Sequence, residues 1–318
     1  MPRLRSRSAI GSAGLVLASL LLVAALVLLA RPGGGEAATA PAGKDTERFA
    51  DDSCARVAVR FGVVLAAGDD AGRAAADRLT TDFAEGLGCR AIAVPYATQA
   101  RLVTALAMHD VDVAELDPAA MVVADRVTGA VPAGAYAVDA DTPARNRPTE
   151  LWVRDASRVR ALADLKDRPI AFGPRMTAGG DLGPRAALLA AGVARGAPGD
   201  TLARWTDDDA SALADLRARR VDAAVTRGTP TGADVRGLRR VWSTTGSLAD
   251  VLAIRPGVPR TVRRLIQVAV RGLSGAALAP LAARQGISEP APLTPVPLDL
   301  YAPVAARLDT LVAAGLRP

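Results

Sequence analysis

The sequence predicts an α/β fold with mostly parallel sheets. Short apolar runs alternate with longer stretches of helical periodicity, the order typical of consecutive strand–helix–strand units. Capping residues, glycines and prolines fall between these segments, where strands and helices would begin and end. Half of the 318 residues are hydrophobic, which is enough to fill the cores of one or two domains.

The first group of units occupies residues 56–153. A Val-rich run predicts the first strand, and the helix after it begins at Asp69 and ends before Gly88, a residue type that often terminates helices. Thr98 is a suitable cap for the second helix, and Pro118 suits the first turn of the third. The predicted strands are 56–65, 91–94, 111–115, 131–138 and 150–153, and the predicted helices are 69–87, 98–108 and a third from residue 118.

The second group of units occupies residues 159–316 and repeats the alternation of helices and strands. The predicted helices are 159–165, 178–193 and 209–219, and the predicted strands are 169–172 and 221–225. An apolar run at 247–254 and two helices at 260–272 and 303–316 complete the chain.

The N-terminus predicts where the protein works. Residues 9–30 are apolar and uncharged, and the segment is long enough to cross a bilayer. Arginines precede it, so the positive-inside rule places the following chain outside the cytoplasm. We expect residues 1–30 to stay as a signal-anchor segment and residues 31–50, rich in Gly, Ala and Pro, to form a flexible tether. The alternative is a signal peptide cleaved after Ala40, which would give a secreted protein.

The side chains that carry most catalytic and metal chemistry are scarce. His109 is the single histidine and lies on a predicted turn, where an exposed side chain without a catalytic role is the simpler interpretation. Together with the two cysteines it offers too few ligands for a usual zinc site, so we expect no enzyme, metal or cofactor. The net charge is +6, but the basic residues form no stripe with interleaved aromatics, so we expect no nucleic-acid partner.

The two cysteines each precede a predicted strand. If these strands are parallel neighbours, Cys54 and Cys89 lie at the same end of the sheet, where a disulfide can close. The oxidising environment outside the cytoplasm favours that bridge. Two unpaired buried thiols are the alternative.

Four stretches of the chain together resemble one protein family. They are FGVV (61–64), VPYATQARLVTALAMHDVDVAELDP (94–118), LADLKDRPIAFGPRMTAGGDLGPRAAL (162–188) and DDDASALADLRARRVDAAV (207–225). Each stretch is a weak signal alone, and their order and spacing carry the similarity. In these features the sequence resembles the phosphonate/phosphate-type periplasmic substrate-binding proteins of ABC transporters, as a divergent member.

The resemblance implies the two-lobe class II fold of periplasmic binding proteins. Each lobe would hold a mostly parallel sheet flanked by helices, and two crossing segments would form the hinge. Lobe one would comprise residues 51–137 and 248–318, and lobe two residues 149–246. The ligand would lie in the cleft between the lobes.

The resemblance also points to an anion-binding loop. In the family, a Ser-Thr-Ser-Gly loop begins a helix and holds a phosphonate or phosphate, because the first helical turn offers free N–H donors and the positive end of the helix dipole. The matching positions here are 176–179, where two of the three hydroxyls are missing. The predicted ligand-binding residues of this loop are Arg175, Thr177, Ala178, Gly179 and Gly180. The alternative is an ordinary helix start with Thr177 as its N-cap.

Three further residues are candidates for the pocket. Tyr96 matches the family's aromatic residue at the start of the second helix, with a half-buried structural tyrosine as the alternative. Glu115, at the end of the third strand, would repel a dianion and suit a ligand that carries an amine. The alternative is a purely structural role for this carboxylate. Asp207 opens an acidic turn that reaches the cleft or remains solvated, and Asp209 is expected to cap the helix that follows.

The predicted function is that of an extracytoplasmic solute-binding protein for an ABC importer. Its expected partners are a small-molecule ligand, an ABC permease, and the membrane through residues 9–30. The ligand is expected to be phosphonate- or phosphate-like, or an anion that carries an amine. The alternative is a membrane-anchored sensor or interaction module that uses the same fold without transport.

Overall fold

The described part of the chain, residue 54 and residues 57–317, forms two β-sheets with helices packed around them in a computed structural model. The first stretch of chain supplies four strands and three helices. In order they are β1 (Val59–Val64), α1 (Asp70–Leu87), β2 (Ala91–Tyr96), α2 (Gln99–Ala107), β3 (Val113–Leu116), α3 (Pro118–Thr128) and β4 (Val131–Ala137).

The middle of the chain builds the second sheet and its helices. These elements are β5 (Thr149–Arg154), β6 (Ile170–Phe172), α4 (Gly183–Ala190), β7 (Ala203–Trp205), α5 (Asp209–Arg217), β8 (Ala223–Arg227) and β9 (Leu238–Thr244). A π-helical turn, Ala178–Leu182, precedes α4, and short 3₁₀ turns lie at Leu162–Leu165 and Gly232–Val235.

The chain then returns to the first sheet. The returning elements are β10 (Val251–Ile254), α6 (Arg260–Gly272), α7 (Gly275–Arg284), β11 (Ala291–Thr294), a 3₁₀ turn (Leu298–Tyr301) and α8 (Ala302–Ala313). We call the part built on the first sheet the first lobe and the part built on the second sheet the second lobe. This arrangement is the two-lobe class II fold that the resemblance implies.

The strand order is β11-β4-β10-β3-β1-β2 in the first sheet and β7-β6-β8-β5-β9 in the second. β1 runs parallel to β2 and β3, and β6 runs parallel to β7 and β8. The remaining pairings are antiparallel, so the expectation of mostly parallel sheets is wrong in detail and both sheets are mixed. The reversed strands include β5 and β10, because each enters its sheet directly from a crossing between the lobes.

The hinge consists of two crossing segments that pair with each other. Ala144 accepts a hydrogen bond from the Ala249 N–H, and the Asn146 N–H donates to the Ser247 carbonyl, both at 2.9 Å. Gly246 packs so closely on the Asn146 carbonyl that a β-carbon there would overlap it. The expected hinge of two crossing segments is therefore confirmed.

Side chains cap the starts of three helices, and the predicted cap Thr98 is confirmed. The Asp69 carboxylate accepts the Gly72 N–H at 2.8 Å, and the Thr98 hydroxyl accepts the Arg101 N–H at 3.2 Å. Asp117 caps α3, with Pro118 in its first turn. Each of these bonds satisfies an N–H that the start of a helix leaves without an intrahelical partner.

The two cysteines form a disulfide. Cys54 is bonded to Cys89 with their α-carbons 5.8 Å apart. Because β1 and β2 are parallel neighbours, with Val59 opposite Ala91, the two cysteines meet at the same end of the sheet. The predicted bridge is confirmed, and the alternative of unpaired thiols is wrong.

The predicted anchor (9–30), tether (31–50) and cleavage site all lie outside the described residues. Within residues 57–317, no single helix is long and apolar enough to span a membrane. The pair α6 and α7 meets the length and composition test jointly, with a bend of 82° between the two helices. The same part of the chain contains no group of three or more His, Cys, Asp or Glu side chains arranged to hold a metal ion.

Candidate functional site

A cavity of about 130 Å³ lies between the two lobes, next to the hinge. Both lobes and the hinge contribute to its wall, and charged and amide side chains dominate the lining. The lining residues are Gln99, Asp117, Asp250, Arg284 and Gln285 from the first lobe, Asn146 and Arg147 from the hinge, and Thr177, Gly179, Asp209 and Arg227 from the second lobe. Three carboxylates and three guanidinium groups therefore surround a small space.

The loop at residues 175–180, which begins a helix and is predicted to bind an anion, forms one side of this cavity. The Thr177 hydroxyl accepts the Gly180 N–H at 3.1 Å and donates to the Pro174 carbonyl at 2.7 Å, so it is a helix cap. The Gly180 carbonyl accepts the Gly173 N–H at 3.0 Å. In an ordinary α-helix this carbonyl would accept from residue 184, but Pro184 has no N–H, and the first turn widens into a π-turn.

The anion position at this helix start is occupied by a carboxylate of the protein itself. Asp117 Oδ1 accepts the Ala178 N–H of the second lobe at 2.7 Å while it accepts the Ala119 N–H of its own helix at 2.8 Å. One side chain therefore caps α3 and joins the two lobes. In the same loop the Met176 N–H donates to the Asp181 carboxylate at 2.8 Å.

Asp181 does not present its charge to the cavity. Its carboxylate forms a fully buried ion pair with Arg185, at 2.8 Å and one helical turn away. The ion pair and the Met176 N–H offset the desolvation of this carboxylate, although burial still raises the pKa of Asp181 above its ordinary value. Asp181 therefore does not act on the cavity as an unpaired negative charge.

The three arginines of the cavity wall already have partners. Arg227 lies 3.7 Å from the Asp209 carboxylate, which also accepts the Arg227 backbone N–H at 2.8 Å. Arg284 pairs with Asp69 at 3.0 Å, and Arg147 donates to the Ala283 carbonyl at 3.3 Å. Their positive charge is thus shared with groups of the protein before any solute arrives.

Burial shifts the acidity of the carboxylates on the first-lobe side. Desolvation raises the pKa of Asp117 to about 6, against the opposing effect of its two backbone hydrogen bonds. The pKa of Asp250 is raised well above its ordinary value by desolvation and then by the charges of Asp117 and Glu115. Desolvation likewise raises the pKa of Glu115, although the Tyr136 hydroxyl donates to it at 2.6 Å.

The structure brings some of the sequence-predicted site residues together and separates others. Thr177 and Gly179 line the interlobe cavity, and Ala178 and Gly179 line an adjoining cavity of about 270 Å³ that also contains Trp242. Gly180 is buried against Gly173. The positions of these residues agree with a helix start at the cleft.

The other predicted site residues lie outside both cavity walls. The Arg175 guanidinium is stacked on the Trp205 ring, 4.2 Å from its centre. Tyr96 is half-buried beside Asp110, and Glu115 is buried against Tyr136. Asp207 is exposed.

The acidic turn at the start of α5 differs from the expectation. Asp208 is the helix cap, because its carboxylate accepts the Ser211 N–H at 2.7 Å, and Asp209 lines the cavity. The expected capping role of Asp209 is therefore wrong. A run of three aspartates allows either register, and only the packing of α5 against β8 selects one.

The sequence interpretation missed most of the cavity wall. Asn146 and Arg147 come from the hinge, and Asp250 follows it directly, where no periodic pattern marks a binding residue. Gln99 could have been found, because it occupies the first position of α2 directly after a strand end, where α/β folds place their ligands.

Comparison with known proteins identifies the relatives of this chain. Residues 61–295 match the sequence profile of the family described as ABC transporter, phosphonate, periplasmic substrate-binding protein. None of the curated proteins matches the chain in sequence.

Solved structures share the fold at low sequence identity. PhnD1 from Prochlorococcus marinus in complex with methylphosphonate has a TM-score of 0.63 at 12% identity, and the alignment covers 80% of this chain and 98% of PhnD1. The binding protein PA3383 of an ABC phosphonate transporter from Pseudomonas aeruginosa has a TM-score of 0.61 at 16% identity, and the alignment covers 79% of this chain and 85% of PA3383. XAC2383 from Xanthomonas citri bound to ATP has a TM-score of 0.60 at 17% identity, and the alignment covers 79% of this chain and 98% of XAC2383.

Proposed function

Because the chain belongs to the family of ABC transporter phosphonate periplasmic substrate-binding proteins, we propose that it captures a small solute outside the cytoplasm and delivers it to an ABC permease. The observation that carries this proposal is the cavity between the lobes, whose wall combines both lobes and the hinge. A solute bound there would contact both lobes at once, so its binding energy would favour the closed form that a permease recognises. The proposal includes no catalytic step.

The proposed solute contacts are Thr177 and Gly179 of the helix start, together with the polar side chains of the cavity wall. Ala178 joins them from the adjoining cavity. Tyr96, Arg175, Gly180, Glu115 and Asp207 stay predictions. Two ligand classes agree with the family and with the charges of the wall: a phosphonate- or phosphate-like anion, and an anion that carries an amine.

Calorimetric titration of the full chain in detergent tests the proposal. The panel would contain methylphosphonate, phosphate, 2-aminoethylphosphonate and small amines, with tryptophan fluorescence as the report of closure. We expect saturable heat and a fluorescence change with at least one solute. A flat response to every solute at millimolar concentration would reject solute capture.

We further propose that residues 9–30 anchor the protein in the membrane and that residues 31–50 tether the lobes to it. The uncharged length of the segment and the arginines before it support this. Membrane fractionation with a carbonate wash tests the anchor, and N-terminal sequencing tests its retention. A soluble chain that begins at residue 41 would establish the secreted alternative instead.

A second candidate function is a membrane-anchored sensor or interaction module on the same fold. The bond from the Ala178 N–H to Asp117 favours it, because this bond joins the lobes without a solute. The neighbourhood of the gene distinguishes the two candidates. A permease and an ATPase encoded beside it would argue for transport, and an envelope protein or kinase there would argue for the sensor.

A further inference from the structure

A second cavity, of about 270 Å³, adjoins the interlobe cavity at Gly179, which lines both. Its wall combines β5, the start of α4, the end of β9 and the hinge with Arg307 from α8 of the first lobe. Together the two cavities reach the range of about 300–1,000 Å³ that pockets for small organic ligands occupy. A bare phosphate or methylphosphonate fills only a part of this space, so the second cavity has room for a further group of the solute.

Hydroxyl groups dominate the polar part of the second cavity, and no carboxylate of the described residues lines it. The hydroxyls belong to Thr149, Thr244, Thr245 and Ser247. Thr149 is only 2% exposed, and its Oγ1 atom lies 2.9 Å from the point where a β-carbon on Gly179 would be, at the junction of the two cavities. Ser247 Oγ is buried without a hydrogen-bond partner among the described residues. Leaving a buried hydroxyl unpaired is costly, so the wall favours a ligand that supplies partners.

The rest of this wall is small or apolar. Trp242 and the alanine and glycine residues around the start of α4 supply it. Hydroxyls beside apolar surface complement a carbon chain that carries hydroxyl groups, because its C–H groups pack on the apolar surface and each O–H group both donates and accepts. A cationic amine would meet the Arg307 guanidinium without a carboxylate, and a plain alkyl chain would leave the hydroxyls of the wall unpaired.

The interlobe cavity supplies the donors for an anionic group next to this chain. Arg147, Arg227 and Arg284 each make one contact with an oxygen of the protein. A guanidinium has five N–H groups, so most of these donors are uncommitted. Three carboxylates line the same cavity, but burial raises the pKa of Asp250 well above its ordinary value and favours the neutral form of that carboxyl. The guanidinium charge therefore exceeds the carboxylate charge, which suits a phosphate or phosphonate group.

We propose that the second cavity binds a hydroxylated carbon chain of the solute, whose phosphate or phosphonate group lies among the guanidinium groups of the interlobe cavity. This inference rests on the proposed function and narrows its ligand class to phosphate esters and phosphonates of polyols. The chain passes Gly179, where the absence of a side chain keeps the junction open, and meets the hydroxyls of Thr149 and Ser247. Because the Ala178 N–H is already bound to Asp117, the anion relies on the guanidinium groups and not on the helix start.

The test compares sn-glycerol 3-phosphate with propyl phosphate, which has the same anion and carbon chain but no hydroxyl groups. Both are titrated calorimetrically into the full chain in detergent at constant ionic strength. We expect glycerol 3-phosphate to bind at least about tenfold more tightly. A smaller preference, or binding of methylphosphonate with neither ester, would overturn the inference and leave solute capture intact. No binding by the esters or by any solute of the wider panel would remove both.

Two variants assign the preference to the second cavity. Thr149→Val and Ser247→Ala are each expected to weaken the binding of glycerol 3-phosphate by about three- to tenfold and to change that of propyl phosphate less than about twofold. A merely structural role would alter both affinities alike. Ser247→Ala should also keep or raise the melting temperature, because it removes an unpaired buried hydroxyl.

Thr201→Val, at an exposed threonine of the second lobe, is the matched control for Thr149→Val. It is expected to change the affinity for either ester less than about twofold, because no ligand hydroxyl reaches it. Affinities for the two esters that stay unchanged, or change equally, in both Thr149→Val and Ser247→Ala would overturn the assignment.

Discussion

Two buried tyrosines differ in whether their hydroxyl groups have a partner. The Tyr136 hydroxyl donates to Glu115 at 2.6 Å, whereas the Tyr301 hydroxyl has no hydrogen-bond partner among the described residues. Both side chains are almost fully buried, at 0% and 1% exposed. The same substitution should therefore have opposite effects at the two positions.

We expect Tyr136→Phe to destabilise the fold by about 1–3 kcal/mol, because it removes the 2.6 Å hydrogen bond to the buried Glu115 carboxyl and leaves only the 3.5 Å contact from Gln285. We expect Tyr301→Phe to leave the stability unchanged or raise it, because it removes an unsatisfied polar group. Urea unfolding of both variants measures the difference. Equal losses in the two variants would mean that the Tyr301 hydroxyl has a partner, such as an ordered water.

A substitution of Thr177 tests whether this residue only caps the helix or also contacts the solute. Thr177→Val removes both hydrogen bonds of the hydroxyl and should cost about 1–2 kcal/mol of unfolding free energy. We also expect it to weaken the binding of the solute that the calorimetric panel identifies. Thr177→Ser keeps the hydroxyl and serves as the control. Unchanged affinity with reduced stability would assign Thr177 to the cap alone.

At the scale of elements, close backbone packing explains why the loop before α4 is so rich in glycine. A β-carbon on Gly173 would lie 2.9 Å from the Gly180 α-carbon, closer than packed atoms approach. The hydrogen bond from the Gly173 N–H to the Gly180 carbonyl fixes the two segments at this distance. The glycines thus build the loop, whatever the loop binds.

We expect Gly173→Ala to destabilise the protein by about 2 kcal/mol or more, because backbone must shift to admit the methyl group. Gly86→Ala in α1 is the matched control. A β-carbon there meets its nearest atom, the Ala269 α-carbon, at an ordinary 3.5 Å, so helix propensity should stabilise the protein by about 0.5–1 kcal/mol. Thermal unfolding compares the pair, and equal effects would contradict the packing argument.

The sequence predicted the long, well-capped elements better than the short ones. Asp69, Thr98 and Pro118 mark helix starts that the structure confirms, since capping is a local property. β7, β9 and β11 were missed. Strands of three and four residues contain too little periodicity to recognise, and two consecutive arginines, Arg239 and Arg240, interrupt the alternation of the longer β9. α7 was missed because Pro280 interrupts its helical pattern.

The cavity wall could be predicted only where it coincides with a helix start. Thr177 and Gly179 are found from the pattern before α4. Asp250 and Gln285 reach the cavity because the hinge and α7 bring distant segments together. Such contacts depend on the packing of the lobes, which no local pattern encodes.

At the scale of the whole molecule, one hydrogen bond, donated by the Ala178 N–H to the Asp117 carboxylate, connects the lobes across the cleft. A solute that takes this N–H must first release Asp117, so the carboxylate competes with anionic ligands and favours closure without them. The bond is made by a carboxylate whose pKa lies at about 6, so its charge changes within the range that an extracytoplasmic protein experiences.

The pH dependence of stability should report this carboxylate. The pKa of Asp117 is about 6 in the folded protein against an ordinary value of 3.8, so the folded chain holds a proton that the unfolded chain releases. The contribution of Asp117 to the unfolding free energy is therefore most favourable below pH 4. It declines by about 3 kcal/mol as the pH rises to 7 or above.

Asp117→Asn should remove that decline while it keeps an oxygen to accept the Ala119 and Ala178 N–H groups. We expect the variant to gain stability relative to the parent protein as the pH rises from 4 to 7, with no further gain above pH 7. Urea unfolding at each pH measures the difference in unfolding free energy between the variant and the parent protein. For Asp234→Asn, at an exposed site, this difference should not change with pH. A difference for Asp117→Asn that is equally flat would mean that this carboxylate is solvated in the folded protein, and that it does not hold the lobes together.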